Sequence, residues 1–225
     1  MTDLFEPLPE SADTRRKENT RAKLVRASLE VFVEKGIDGA TVDDLTRAAG
    51  FTRGAFYSNF SSKEEVFVAV FDEVTTELLA IASSAVQAAL AEAGVGERAR
   101  VGPEDDSEVM VAVFEAIRPF GRQWYLLYSD AVARALRDEK LRAELAVQRE
   151  RLRDEIAALL MVRLEASGER PLLAPTDLAQ LLVGIFIDLM VREQMDRRDV
   201  TDLAAVTILG TLQAFVTPRR PAPGD

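Results

Sequence analysis

The sequence predicts an all-α protein in two parts, a small N-terminal helical unit and a larger C-terminal bundle. Three observations carry that prediction. Apolar residues recur at i, i+3, i+4 and i+7 through most of the chain, and no stretch alternates with the period of two that a half-buried strand requires. Helix-start and helix-stop residues bracket these stretches in turn. The segment from Gly50 to Phe60, Gly-Phe-Thr-Arg-Gly-Ala-Phe-Tyr-Ser-Asn-Phe, reads as a glycine turn and then a helix too short to be an ordinary core element. Its Thr, Arg, Tyr, Ser and Asn suit a helix that projects polar tips outward, and the major groove of DNA is the natural recipient.

Taken in order, residues 1–13 are rich in Pro and acid and are expected to form a disordered arm. A first helix is expected from about Thr14 to Lys35, with Leu24, Ala27, Ser28, Val31 and Phe32 on one face; Gly36 ends it and Ile37-Asp38-Gly39 reads as a turn. Thr41, with Asp44 three residues on, opens the second helix, and Gly50 closes it. Thr52 can cap the short helix 52–58, and Ser61 with Glu64 caps a long fourth helix running to about Ala93. Val66, Phe67, Val70, Phe71, Val74, Leu78 and Ile81 line one side of it. Gly94 to Asp106 reads as a loop from its Gly, Pro and charge content. Five further helices are expected at about 107–117, 119–137, 139–167, 176–196 and 200–216, and Pro218, Pro221 and Pro223 make 217–225 a disordered tail. The division is therefore 14–61 for the small unit and 62–216 for the bundle.

Composition removes most enzymatic readings. The chain of 225 residues has no Cys, which excludes disulfides and thiolate chemistry, and no His, which removes the common nucleophile–base pairs and most zinc sites. No carboxylate pair stands out, so no catalytic residue, metal ligand or cofactor is assigned. The N-terminus is acidic and interrupted by proline, unlike a secretory leader. The most apolar run, Leu178 to Val191, is broken by Gln180 and Asp188 and is too short to span a bilayer. A soluble, cytoplasmic protein without a membrane partner is expected. The net charge of −10 is uneven: residues 11–70 hold ten Lys/Arg against nine Asp/Glu, while residues 71–225 carry −8. The acid thus lies outside the segment expected to face DNA, where the local field matters more than the total.

Residues 14–70 resemble the DNA-binding domain of the TetR family of transcriptional regulators. The resemblance rests on Thr20-Arg21, Phe32-x-x-Lys35-Gly36, Gly39-Ala40-Thr41-Val42, Ala49-Gly50-Phe51, Arg53-Gly54-x-Phe56-Tyr57-x-x-Phe60 and Ser62-Lys63-Glu64, all in register. Thr46 departs from it, standing where a helix-turn-helix usually packs a small Ala. The side-chain chemistry agrees. Arg53, in the first turn of the recognition helix, can reach guanine O6 and N7 with its fork. Thr52 can use its N–H and hydroxyl on a phosphate at the positive end of the helix. Gly54 clears the approach, Tyr57 offers a phenol to the backbone, and Ser58 and Asn59 can add backbone or base-edge contacts. Thr41 and Lys63 are placed to clamp phosphates on either side, and Arg15, Arg16 and Lys17 to act as a basic arm. Phe56 and Phe60 are expected in the core.

The resemblance implies that the C-terminal helices bind a small effector and pair with a second copy. Candidate pocket residues are Met110, Phe114, Trp124, Tyr125, Tyr128 and Phe186, with Phe120 and Met161 nearby and Arg118, Gln123, Asp130 and Asp188 as possible polar groups; ordinary core packing is the competing account of the same stripe. The last two helices are apolar around more than one face, with Gly184 and Gly210 allowing close approach, which points to a homodimer through them. The expected function is a ligand-responsive regulator, a repressor released from a palindromic operator. The alternative is a helical protein-interaction or DNA-organising protein of the same fold.

Overall fold

A computed structural model describes residues 12–92 and 103–218. Among the described residues there are eight helices and two short strands: α1 Ala12–Gly39, α2 Val42–Ala49, α3 Arg53–Tyr57, α4 Lys63–Glu92, α5 Pro103–Ala135, α6 Glu139–Ser167, β1 Glu169–Pro171, α7 Pro175–Asp196, α8 Thr201–Phe215 and β2 Val216–Pro218. The all-α class holds. The chain divides into two compact units, one ending at Asp72 and one starting at Glu73. The division falls inside α4. The expected arm at 1–13 and tail at 217–225 lie outside the described residues, except that 12–13 begin α1 and 217–218 belong to β2.

In the first unit α1 is interrupted at Gly36, whose φ of 66° ends the long helix where expected. Residues 37–39 then form a further helical turn in place of an open one, closed by the Ala40 N–H on the Gly36 carbonyl at 3.1 Å. This turn carries Ile37 into the core beside Leu24, Phe32, Leu45, Phe56, Phe60, Val66 and Phe67, all buried. The Phe32 and Phe67 rings meet edge to face at 5.3 Å, tying α1 to the start of α4. Ser28 is buried without penalty because its hydroxyl donates to the Leu24 carbonyl at 2.6 Å. The cap of α4 is Ser62, one residue beyond the expected Ser61: the Glu65 N–H donates to the Ser62 hydroxyl at 3.3 Å, and the Glu65 carboxylate accepts the Ser61 N–H at 2.8 Å. Glu65 serves where Glu64 was expected, and its carboxylate takes the N–H of the residue before the cap, because adjacent Ser and adjacent Glu suit both registers by sequence.

In the second unit α5 is one helix of 33 residues, not the two expected at 107–117 and 119–137, and Pro119 lies inside it. An internal proline removes a hydrogen bond and costs about 3 kcal/mol. Contacts on both sides of it offset that cost. Arg118 is fastened to α7 and the start of α8, donating to Glu193 at 2.6 Å, Thr201 at 2.9 Å and Asp199 at 3.0 Å. At Gly121 the helix lies so close to α7 that a Cβ would collide with Met190 and come within 3.4 Å of Phe186. Trp124, a turn further on, is buried, stacks on Tyr128 at 4.9 Å and donates its indole N–H to Thr75 on α4 at 3.1 Å. α5 also packs on α6 and α8, and α6 on α7.

The expectation of helices alone is corrected by β1 and β2, which pair antiparallel with Glu169 opposite Pro218 and Pro171 opposite Val216. Strands of three residues are too short for an alternating pattern to register, and their pairing joins residues almost fifty positions apart.

Candidate nucleic-acid interface

Local chemistry builds the helix-turn-helix. At the start of α2, Thr41 and Asp44 form a reciprocal capping box: the Asp44 N–H donates to the Thr41 hydroxyl at 3.2 Å and the Thr41 N–H to the Asp44 carboxylate at 3.1 Å. Lys35 from α1 adds an ion pair to the same carboxylate at 2.7 Å. Lys35, then the Thr41 hydroxyl and N–H, hold the Asp44 carboxyl far below the usual carboxylate range. Gly50, at φ 70°, ends α2 in the left-handed conformation that glycine adopts without strain, and the Phe51 N–H returns to the Thr46 carbonyl at 2.9 Å. Thr46, the departure noted in the sequence, is buried with its hydroxyl on the Asp43 carbonyl at 3.2 Å, so it fits without an unpaired polar group.

The turn delivers α3, five residues long, with Thr52 as its cap accepting the Ala55 N–H at 3.2 Å. Phe56 points into the core with Phe60 while Tyr57, 59% exposed, points out. Arg53 is exposed and engages Asp43 of α2 with one edge of its fork, Nη2 donating to Oδ2 at 2.6 Å and Nε to Oδ1. That hydrogen bond lowers the Asp43 carboxyl and raises the Arg53 guanidinium. Gly54 is exposed, and a Cβ there would meet only the Thr52 hydroxyl, at 3.8 Å. Among the described residues, nothing else stands within 4 Å of that position.

Other expected contacts have partners already. Thr41 donates its hydroxyl to Asp44 at 2.7 Å, so its cap role is filled. Ser58 and Asn59 both turn back to the Ala55 carbonyl, at 2.9 and 2.8 Å, closing the C-terminal end of α3. Lys63 donates to the carbonyls of Asp38 and Ala40, at 3.2 and 2.8 Å, fastening the α1–α2 connection to α4. Thr41, Thr52, Arg53, Gly54, Tyr57, Ser58 and Asn59 nevertheless belong to α2, α3 and their flanks, and Lys63 begins α4. The side chains of Arg15, Arg16 and Lys17 lie outside the described residues.

Two residues of this unit make contacts that the sequence did not disclose. Asp43 pairs with Arg53, a contact that depends on the angle between α2 and α3. Arg21 donates to the Asn59 carbonyl at 2.9 Å, reaches Glu65 at 3.4 Å and lies 4.0 Å over the Phe60 ring, clasping the α3–α4 junction from α1.

The second unit holds a cavity of about 140 Å³ among Leu78 and Val86 of α4, Phe114 and Trp124 of α5, Leu160 of α6 and Phe186 of α7. Phe114, Trp124 and Phe186 were expected there. Tyr125 and Tyr128 do not line it, nor do Phe120 and Met161, and the Met110 side chain lies outside the described residues. Tyr128 is held away by its stack on Trp124. Among the described residues the polar group in the wall is Arg163, buried and paired with Glu169 at 3.2 Å, and not Arg118, Gln123, Asp130 or Asp188. Its signal was present as a single cation in the run Leu159-Leu160-Met161-Val162-Arg163-Leu164. On the outer side of α7 and α8, Leu181, Leu203 and Val206 are exposed, and a Cβ at Gly184 or Gly210 would meet no atom within 4 Å. Among the described residues no helix is long and apolar enough to cross a membrane, and no cluster of three or more acidic groups could hold a metal.

Residues 24–70 match the family model for bacterial regulatory proteins of the tetR family. Over 53 residues the chain is 51% identical to the HTH-type transcriptional regulator SrpR of Pseudomonas putida, covering 24% of this chain and 25% of that protein. Over 67 residues it is 37% identical to the HTH-type transcriptional repressor DhaR of Mycobacterium sp. strain GP1, covering 30% and 34%. The chain thus spans a quarter to a third of the length of these relatives. The crystal structure of a TetR-family transcriptional regulator from Cytophaga hutchinsonii superimposes with a TM-score of 0.67 at 17% identity, over 89% of this chain and 96% of that one. At that identity the likeness is one of fold.

Proposed function

With a TetR-family helix-turn-helix as its N-terminal unit, we propose that this chain is a ligand-responsive, sequence-specific DNA-binding regulator, a repressor that leaves a palindromic operator when a small apolar molecule binds. The observation that carries the reading is α3 itself: a capped helix of five residues that buries Phe56 and leaves Arg53, Gly54 and Tyr57 outward. Arg53 reads guanine and Thr52 and Tyr57 meet phosphate oxygens, while Thr41, whose hydroxyl and N–H both go to Asp44, holds the start of α2 in place. Lys63 keeps a third N–H for phosphate beyond the two that hold the α1–α2 connection. Ser58 and Asn59 contribute at the far end of the helix.

Two copies pair through the exposed apolar face of α7 and α8, so that two recognition helices read half-sites roughly 34 Å apart. The effector enters the apolar cavity of the second unit. A hollow of about 140 Å³ is close to the size that admits one benzene ring, so a larger effector must push its walls outward. One wall is α4, which begins in the first unit and continues into the second. Displacing it couples effector to operator with a free energy of about 1–3 kcal/mol. The protein acts by binding, without catalysis, metal or cofactor, and works in the cytoplasm.

The test is selection of bound fragments from genomic DNA of the source organism, with Arg53→Ala as control. An inverted repeat recovered by the wild type and lost by the variant is the expected result. No motif, or the same weak yield from both, overturns the reading. It would favour the protein-interaction alternative, with which the net charge of −10 agrees.

A further inference from the structure

We propose that Asp43 is a specificity-determining residue of this interface: its carboxylate holds the Arg53 guanidinium by the side edge and presents the end edge to a guanine. The inference rests on the DNA-binding reading above and deepens it.

A guanidinium carries five N–H groups in a planar fork, one on Nε and two on each terminal nitrogen. Asp43 takes the Nε–H with Oδ1 and one Nη2–H with Oδ2, at 2.6 Å for the latter. What remains is both N–H groups of Nη1 and the outer one of Nη2. That end-on pair is parallel, and parallel donors are what guanine O6 and N7 accept. The ion pair and the base therefore use different edges of one group and need not compete.

Stability does not account for the pair. The two side chains are 66% and 48% exposed, a setting in which an ion pair contributes little to folding. Orientation does account for it. A long arginine loses rotamer freedom when it docks, and one already clamped has less to lose. The clamp is firm because Asp43 stands in the first turn of α2, which the Thr41–Asp44 box and Lys35 hold. Asp43 also places a negative charge beside DNA, which repels phosphate wherever no guanine rewards the fork. Both effects widen the gap between the right and wrong sequence.

The experiment uses the full chain and randomised duplex DNA, comparing the wild type, Asp43→Asn, Asp43→Glu, Arg53→Ala and the Asp43→Asn/Arg53→Ala double variant. In Asp43→Asn the preference for guanine at one position of each half-site should fall about 5- to 10-fold, part of what a bidentate arginine supplies. Affinity for a scrambled duplex should rise about 2- to 3-fold as one phosphate-repelling charge is removed. Asp43→Glu should restore part of the preference. In the Arg53→Ala background the same Asn substitution should leave base preference unchanged. Full guanine preference in both Asp43 variants, or equal losses with and without Arg53, overturns the proposal and leaves the regulator standing. A wild type that selects no motif overturns the regulator, and this proposal with it.

Discussion

Around α3 the polar side chains lie at the surface and hold one another or nearby backbone: Arg53 to Asp43 and Thr41 to Asp44 through carboxylates, Asn59 and Lys63 to the carbonyls of Ala55, Asp38 and Ala40. In the second unit the arrangement is reversed. There polar groups make their contacts from inside, Trp124 of α5 to Thr75 of α4 and Arg163 of α6 to Glu169 of β1, beside a hollow walled mainly by apolar side chains. Exposed pairs contribute little to folding but keep donors in set directions, whereas buried contacts contribute much to folding. The first unit can therefore change what it recognises at small cost to stability. In the second, the hollow shares walls with the core: Leu78, Val86, Phe114, Trp124, Leu160 and Phe186 belong to both.

Substitutions can break that contrast or sharpen it. The largest expected effect is on Trp124→Ala, which removes a fully buried ring and its indole hydrogen bond and should cost about 3–5 kcal/mol in urea unfolding. Arg53→Ala should barely move the urea midpoint, yet lower affinity for the selected operator on the order of 100-fold, since each of two arginines loses a bidentate base contact. An Arg53→Ala protein that unfolds as readily as Trp124→Ala would break the comparison.

The glycines make a matched pair. Gly121→Ala should cost about 1–3 kcal/mol by overpacking against Met190, with calorimetry as the check. Gly54→Ala should leave the melting temperature unchanged or slightly higher, because alanine is the better helix former and meets only the Thr52 hydroxyl. Its effect should appear in operator binding alone.

The smallest effect concerns acid. The Asp44 carboxyl is held below its ordinary value of 3.8 in the folded state, chiefly by Lys35. A depressed carboxyl stabilises above its unfolded value and loses that contribution as pH falls through the folded one. The melting temperature of Asp44→Asn should lie below that of the wild type at neutral pH, and the gap should begin to narrow below about pH 4 and close only as pH falls through the lowered folded value. A constant offset across that range would show that the cap acts without its charge.

Features written within four or five residues were legible. The Thr41–Asp44 box, the left-handed Gly50, the Thr52 cap and the outward Arg53 and Tyr57 each depend on local geometry, and together with the buried Phe56 and Phe60 they define the helix-turn-helix from composition and spacing. The slip from Ser61 to Ser62 shows the limit even there, since adjacent Ser and adjacent Glu offer two equivalent registers. Tertiary structure decided the rest. Whether Pro119 breaks a helix depends on Arg118 and Gly121 meeting α7, and whether residues 216–218 form a strand depends on residues 169–171. Which aromatics face a hollow, and that Arg163 stands in its wall, follows from how five helices stack. The Asp43–Arg53 clamp spans only ten positions, but it exists because of the angle at which the Gly50 turn sets α3 against α2. Caps and turns are short-range interactions that residue identity determines. Contacts between helices depend on packing that residue identity constrains only jointly, across the whole unit.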